Sequence, residues 1–149
     1  MMAYRYSVGW NVMLTLSKFL SQLSEWTRPS DGILADALEQ MLEWVQLPPD
    51  KAVSQISKVG LTPNYSEGWQ GISPFVTGSV LWCLYSFLRA PDDYWESICI
   101  AIAVSGDVDT TAAMTGAIGL EGIPSSLAKQ LNDRGMRALQ EVSRKIKGL

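Results

Sequence analysis

At 149 residues the chain has the length of one domain, or of a large piece of one, and its 47% hydrophobic against 18% charged residues suits a buried core. A net charge of −3 and a pI near 4.9 exclude a broad nucleic-acid surface, which needs a basic face. The lack of histidine excludes imidazole zinc sites, Ser-His-Asp triads and Cys-His dyads, leaving carboxylates, hydroxyls, metals and backbone groups to carry any chemistry.

The first predicted element is a helix from Val12 to Trp26, where Leu14, Leu16, Phe19, Leu20 and Leu23 recur at helical spacing. Pro29-Ser30-Asp31 breaks it, with Ser30 as the expected N-cap of the next helix. That second helix carries Leu34, Leu38, Met41, Leu42 and Val45 on one face and Asp36, Glu39 and Glu43 on the other. Pro48-Pro49 is expected to stop it, since proline lacks an N–H and clashes with the preceding turn. A short helix over Lys51–Lys58 follows, with Val53 and Ile56 inward.

Gly60 to Pro74 is a long irregular stretch, a length that in a compact domain is usually functional or mobile. Val76–Leu88 is an apolar helix expected to bury Val80, Leu81, Leu84, Phe87 and Leu88. The next helix restarts at Pro91-Asp92-Asp93, with Pro91 at the first helical position and the acids complementing the helix dipole. Apolar nearly all round to about Val104, it is expected to be the central helix. Asp107 opens another helix, Pro124 one more, and Met136, Leu139, Val142 and Ile146 mark the last. With no sustained two-residue alternation, the class is all-α, a multi-helical bundle over residues 1–149.

Cys83 and Cys99 lie in apolar stretches without C-x-x-C spacing and read as structural thiols. The longest apolar run, Ile98–Val104, has seven residues, far below the ~18 of a membrane span, and the N-terminus lacks a secretion-signal layout. A cytoplasmic setting is the expectation.

Chemistry concentrates at Ser105-Gly106-Asp107-Val108-Asp109-Thr110-Thr111. Two carboxylates and a hydroxyl crowd one helix start, where like charges repel by ~1 kcal/mol in water and more when partly buried. A divalent cation removes that cost, and hard oxygen donors suit Mg²⁺ or Mn²⁺ over zinc. Gly106 permits the sharp turn. The plainer alternative is that Asp107 caps the helix and Asp109 complements its dipole. An EF-hand is excluded, because Ala112 and Ile118 stand where that loop needs Gly and Glu.

Residues 105–118, Ser-Gly-Asp-Val-Asp-Thr-Thr-Ala-Ala-Met-Thr-Gly-Ala-Ile, followed by Ile123-Pro124, resemble the C-terminal signature of the ADP-ribosylglycohydrolase family, including its dinitrogenase-reductase-activating type. Gly71-Ile72-Ser73-Pro74-Phe75-Val76 leading to Val80-Leu81-Trp82, then Pro91-Asp92-Asp93-Tyr94, resembles the same family in order and spacing. The motifs cover about residues 60–135. The resemblance implies an all-α hydrolase that releases ADP-ribose from a modified protein side chain or a small acceptor, using a binuclear Mg²⁺ or Mn²⁺ site. By position, Asp107 and Thr110 would bind one ion and Asp109 would bridge both, which makes the two aspartates the metal-binding and catalytic pair. Phe75, Ser105 and Gly106 would lie along the substrate, with core packing the plainer alternative for Phe75, and Ala112, Ala113, Gly116 and Ala117 would let their helix pack closely.

The sequence departs from the family pattern at Ser105, which replaces a glycine, and in a signature helix about one turn short. The family's earlier Gly-Asp and Thr-Asp-Asp segments are not recognisable, so the chain reads as the C-terminal portion of such an enzyme. The expected partners are an ADP-ribosylated substrate and a separate chain supplying the other half of the site, with no nucleic acid and no membrane. The alternative is a non-catalytic remnant or helical interaction module.

Overall fold

The computed structural model describes residues 10–61 and 69–119, with side chains from residue 14 onward. The described residues form α1 (Trp10–Thr27), α2 (Gly32–Trp44), α3 (Pro49–Ile56), α4 (Val76–Arg89), α5 (Tyr94–Ile102) and α6 (Val108–Ile118). No strand occurs among them, as the all-α reading expected. The helices expected from Pro124 and around residues 136–146 lie outside the described residues.

Leu16, Leu20 and Leu23 of α1 turn to the core, with Ser24 buried beside them. Leu14 and Phe19 stay on the surface, because at 100° per residue Leu14 falls on the opposite side of the helix and Phe19 at the edge of the stripe. The chain reverses through residues 28–31. Here Ser30 differs from expectation: its hydroxyl donates back to the Thr27 carbonyl at 3.0 Å, serving the end of α1. Asp31 takes the N-cap of α2 instead, accepting from Leu34 N–H at 2.9 Å. The α1–α2 hairpin is clasped by Arg28, which donates to Asp36 (2.7 Å) and Glu39 (2.6 Å), while Ser24 donates to Glu39 at 2.8 Å. The Ser24 hydroxyl and the Arg28 guanidinium hold the Glu39 carboxyl below the usual glutamate range.

The α2 stripe is as read, with Leu38 and Met41 buried and Asp36, Glu39 and Glu43 exposed. The double proline acts differently from expectation. Helix α2 has already ended at Trp44, and Pro49 instead opens α3 at a position where no backbone N–H is needed.

Among the described residues the central helix is α4, not α5. Leu81, Trp82 and Tyr85 are fully buried, and so are Gly78, Ser79, Cys83 and Ser86 on its other sides. It packs against α2 and α3 on one side and α5 and α6 on the other. The Trp82 indole N–H donates to the Ala101 carbonyl at 2.9 Å, Tyr85 Oη to the Leu47 carbonyl at 2.7 Å, and Arg89 to the Val45 carbonyl at 2.7 Å. By contrast α5, although apolar nearly all round, leaves Trp95 and Ile102 almost half exposed. Small residues with polar labels on α4 concealed its burial, since they let neighbouring helices approach on every side. Pro91 also lies before the helix rather than in it, and Asp93 is the N-cap of α5, accepting from Glu96 N–H at 2.9 Å.

The buried stripe of α6 is Thr111 and Thr115, while Ala113 and Ala117 face outward. Gly116 does serve close packing: a side chain there would begin 2.9 Å from the Tyr94 hydroxyl and 3.3 Å from Ile98. No helix among the described residues is long and apolar enough to cross a membrane.

Candidate metal centre

The junction of α5 and α6 places the aspartates. After Ala103 caps α5, the chain turns through Ser105 (φ 65°) and Gly106 (φ 98°), two successive left-handed residues, before α6 begins. The turn is pinned from across the molecule by a parallel bridge between Ile72 and Gly106. Ile72 N–H donates to the Ser105 carbonyl at 3.3 Å, and Asp107 N–H donates to the Ile72 carbonyl at 2.8 Å. Glycine is required on both sides of this bridge. A Cβ on Gly71 (φ 79°) would stand 2.2 Å from the Ser105 and Val104 carbonyl oxygens, and one on Gly106 would stand 2.0 Å from the Ile72 oxygen.

Asp107 occupies the N-cap position of α6 and yet makes no side-chain capping hydrogen bond. Its φ of −81° and ψ of 63° depart from the extended conformation of Asp31 (−148°, 93°) and Asp93 (−130°, 95°), whose carboxylates do cap. The Asp107 carboxyl instead lies beside that of Asp109, and this side-chain contact is the largest influence holding the Asp109 carboxyl below the usual aspartate range. The backbone N–H groups of Asp109 and Thr110 add to it by donating to the Asp109 carboxylate. Asp109 and Thr110 are exposed and Asp107 is half-buried, so the donor groups sit at the surface.

Thr111, next in sequence, does the opposite of Thr110. It is buried, and its hydroxyl donates to the Asp107 carbonyl at 3.1 Å, tying the first turn of α6 together. Its own carbonyl accepts from the Cys83 thiol at 3.4 Å. Burial raises the pKa of both Cys83 and Cys99, with Glu96 and Asp93 adding for Cys99, which disfavours the reactive thiolate in each. Sequence reasoning named Gly71 and Ile72 within a motif without giving them a role, and passed over Thr111. The pairing of Thr residues, one out and one in, was the available signal for the latter.

The remaining candidates are placed as follows. Ser105 and Gly106 form the turn itself. Phe75 heads α4, with its ring over Gly60, 3.2 Å from where a side chain on that glycine would begin. A groove of about 280 Å³, lined by Phe87, Asp92, Tyr94, Ser97 and Ile118 among others, lies at the opposite ends of α5 and α6 from the aspartates.

The ADP-ribosylglycohydrolase family model matches residues 2–148. The chain belongs to that family. The match reaches to residue 2, further toward the N-terminus than the recognisable motifs of residues 60–135. Comparison with curated proteins and with solved structures returns no match. Membership assigns the chain to a family of ADP-ribosyl hydrolases with an all-α fold.

The donor set suits the cation that the sequence motif implies. Two adjacent carboxylates, one withheld from capping, and a neighbouring exposed hydroxyl are hard oxygen donors. Among the described residues no group of three or more acidic, thiol or imidazole side chains forms a larger cluster. Mg²⁺ is commonly held by one or two carboxylates while keeping several waters, and this arrangement matches that habit.

Proposed function

We propose that the chain is a metal-dependent hydrolase that releases ADP-ribose from a modified protein side chain or a small acceptor. In this reading Asp107, Asp109 and Thr110 are its ligands to Mg²⁺ or Mn²⁺. The observation that carries it is the Asp107 carboxylate, which stands at an N-cap without capping and converges on Asp109. Two adjacent carboxylates repel once both are ionised, and a cation held by both reverses the sign of the interaction.

The cation, when bound, supplies polarisation of the reacting centre and a positioned, more acidic water. The chain's own groups do the rest. Asp107 and Asp109 hold the cation at the surface, their backbone fixed by Ile72 and Thr111. The Asp107 carboxyl and the first-turn N–H groups of α6 hold the Asp109 carboxyl below the usual aspartate range, which favours the ionised form that can ligate. Ser105 and Gly106 present backbone at the edge of the pair, where a ribose can approach. Further donors come from water, from residues outside those described, or from a second chain. The free Cys83 and Cys99 thiols support a reducing, cytoplasmic setting.

The test is release of ADP-ribose from an ADP-ribosylated protein by the full chain with Mg²⁺ or Mn²⁺. Release is expected to fall about 10²-fold or more in Asp109→Ala, the scale of losing one transition-state electrostatic group. Chelation is expected to abolish it. Metal binding without release would identify the chain as a non-catalytic module that keeps part of the site, and no binding at all would remove the metal reading.

A further inference from the structure

We propose that Gly71 is a positioning residue for the aspartate pair, acting through the Ile72–Gly106 bridge; this rests on the metal-site reading above. Gly71 touches neither carboxylate. Its α-carbon lies so close to the Val104 and Ser105 carbonyls that any side chain would begin 2.2 Å from them. That approach allows Ile72 to accept from Asp107 N–H at 2.8 Å and to donate to Ser105 at 3.3 Å.

The anchor runs on into the core. Ile72 is 1% exposed, and the Ser73 carbonyl accepts from the buried Ser79 hydroxyl of α4 at 3.2 Å. Asp107 is thereby referenced to the central helix, although it sits at a surface turn of two left-handed residues. Left alone, such a turn samples several conformations, and the spacing of its two carboxylates varies with them. The bridge removes that freedom before the cation arrives, so binding does not have to order the turn. Residues that orient metal ligands from outside typically change affinity about 10- to 100-fold when altered.

The experiment measures Mn²⁺ affinity by calorimetry on the full chain in wild type, Gly71→Ala and Leu38→Ala, alongside metal-free thermal unfolding. Leu38 is buried on α2, on the other side of α4, so its truncation lowers stability without touching the turn. Gly71→Ala is expected to weaken Mn²⁺ binding about 10- to 100-fold, while Leu38→Ala binds as wild type does. Equal affinity in Gly71→Ala and wild type, or equal loss in both variants, overturns the positioning role. A wild-type chain that takes up no Mn²⁺ instead overturns the metal reading itself, and the positioning role with it.

Should Gly71→Ala not fold, amide exchange in the wild type decides the matter. Coupling is reciprocal, so saturating Mg²⁺ is expected to slow exchange of the Ile72 N–H about tenfold. Slowing confined to residues 107–110, with Ile72 unchanged, overturns the proposal.

Discussion

Ser105 adopts a φ of 65° with a side chain attached, next to a glycine at 98°. For an L-residue the left-handed region costs roughly 1–2 kcal/mol, partly offset because glycine has more freedom to lose on folding. The family pattern has glycine here, and the geometry supplies the reason. Ser105→Gly is expected to stabilise the chain by about 0.5–1 kcal/mol, raising Tm by about 2 °C, with Mn²⁺ affinity preserved. Thermal unfolding and calorimetry check both. A fall in Tm would mean that the serine side chain makes a compensating contact. Thr110 and Thr111 make a second residue-level contrast. They differ by one position and 100° of helix, which sends one hydroxyl to the surface beside Asp109 and the other into the core to bind the Asp107 carbonyl.

Among the described helices three begin at an aspartate, and the three caps are not alike. Asp31 and Asp93 accept from the N–H three residues on, each at 2.9 Å, whereas Asp107 accepts none. Replacing a working aspartate cap by alanine costs about 1 kcal/mol. In metal-free protein, Asp31→Ala and Asp93→Ala are each expected to cost that much in urea denaturation. Asp107→Ala is expected to change stability by less than about 0.5 kcal/mol, as for a surface site, because no cap is lost. A cost equal to the other two would reduce Asp107 to an ordinary cap. With saturating Mn²⁺ the order is expected to change, since only Asp107→Ala then forfeits the stabilisation that the cation provides. The sequence pattern D-x-D-T could not separate these outcomes: a cap and a ligand use the same residue at the same position, and backbone dihedrals decide between them.

At the scale of the molecule, α4 joins two groups of helices: α1, α2 and α3 on one side, α5 and α6 on the other. Its inward side chains are the joints. Trp82 is fully buried, stacks on Tyr85 with centroids 4.8 Å apart, and ties α4 to α5 through the Ala101 carbonyl. Trp82→Ala is expected to cost ~3–5 kcal/mol, a large share of the ~5–15 kcal/mol of a typical domain. Tm should fall by about 10 °C or more, in a single transition by both circular dichroism and calorimetry. Separate transitions would show that the two groups of helices fold independently. The same joint fixes the site, because the aspartates hang on the end of α5 and the start of α6 while their anchor, Ile72, enters α4.

The sequence by itself determined the helical class, the positions of most of the described helices and the family to which its motif belongs. Those are local matters: hydrophobic period, proline and aspartate at helix starts, and residue order within one segment carry them. Helix boundaries slipped where one residue had two possible partners, as at Ser30 and Pro49. Only the tertiary structure decided that α4 is central, because burial of Gly78, Ser79, Cys83 and Ser86 depends on neighbours and not on their own hydropathy. Only it brought Gly71 against Ser105, since that contact joins segments distant in sequence and is made by backbone, which leaves no side-chain signature. And only it separated Asp107 from the caps it resembles, because the direction of a carboxylate is set by the turn behind it.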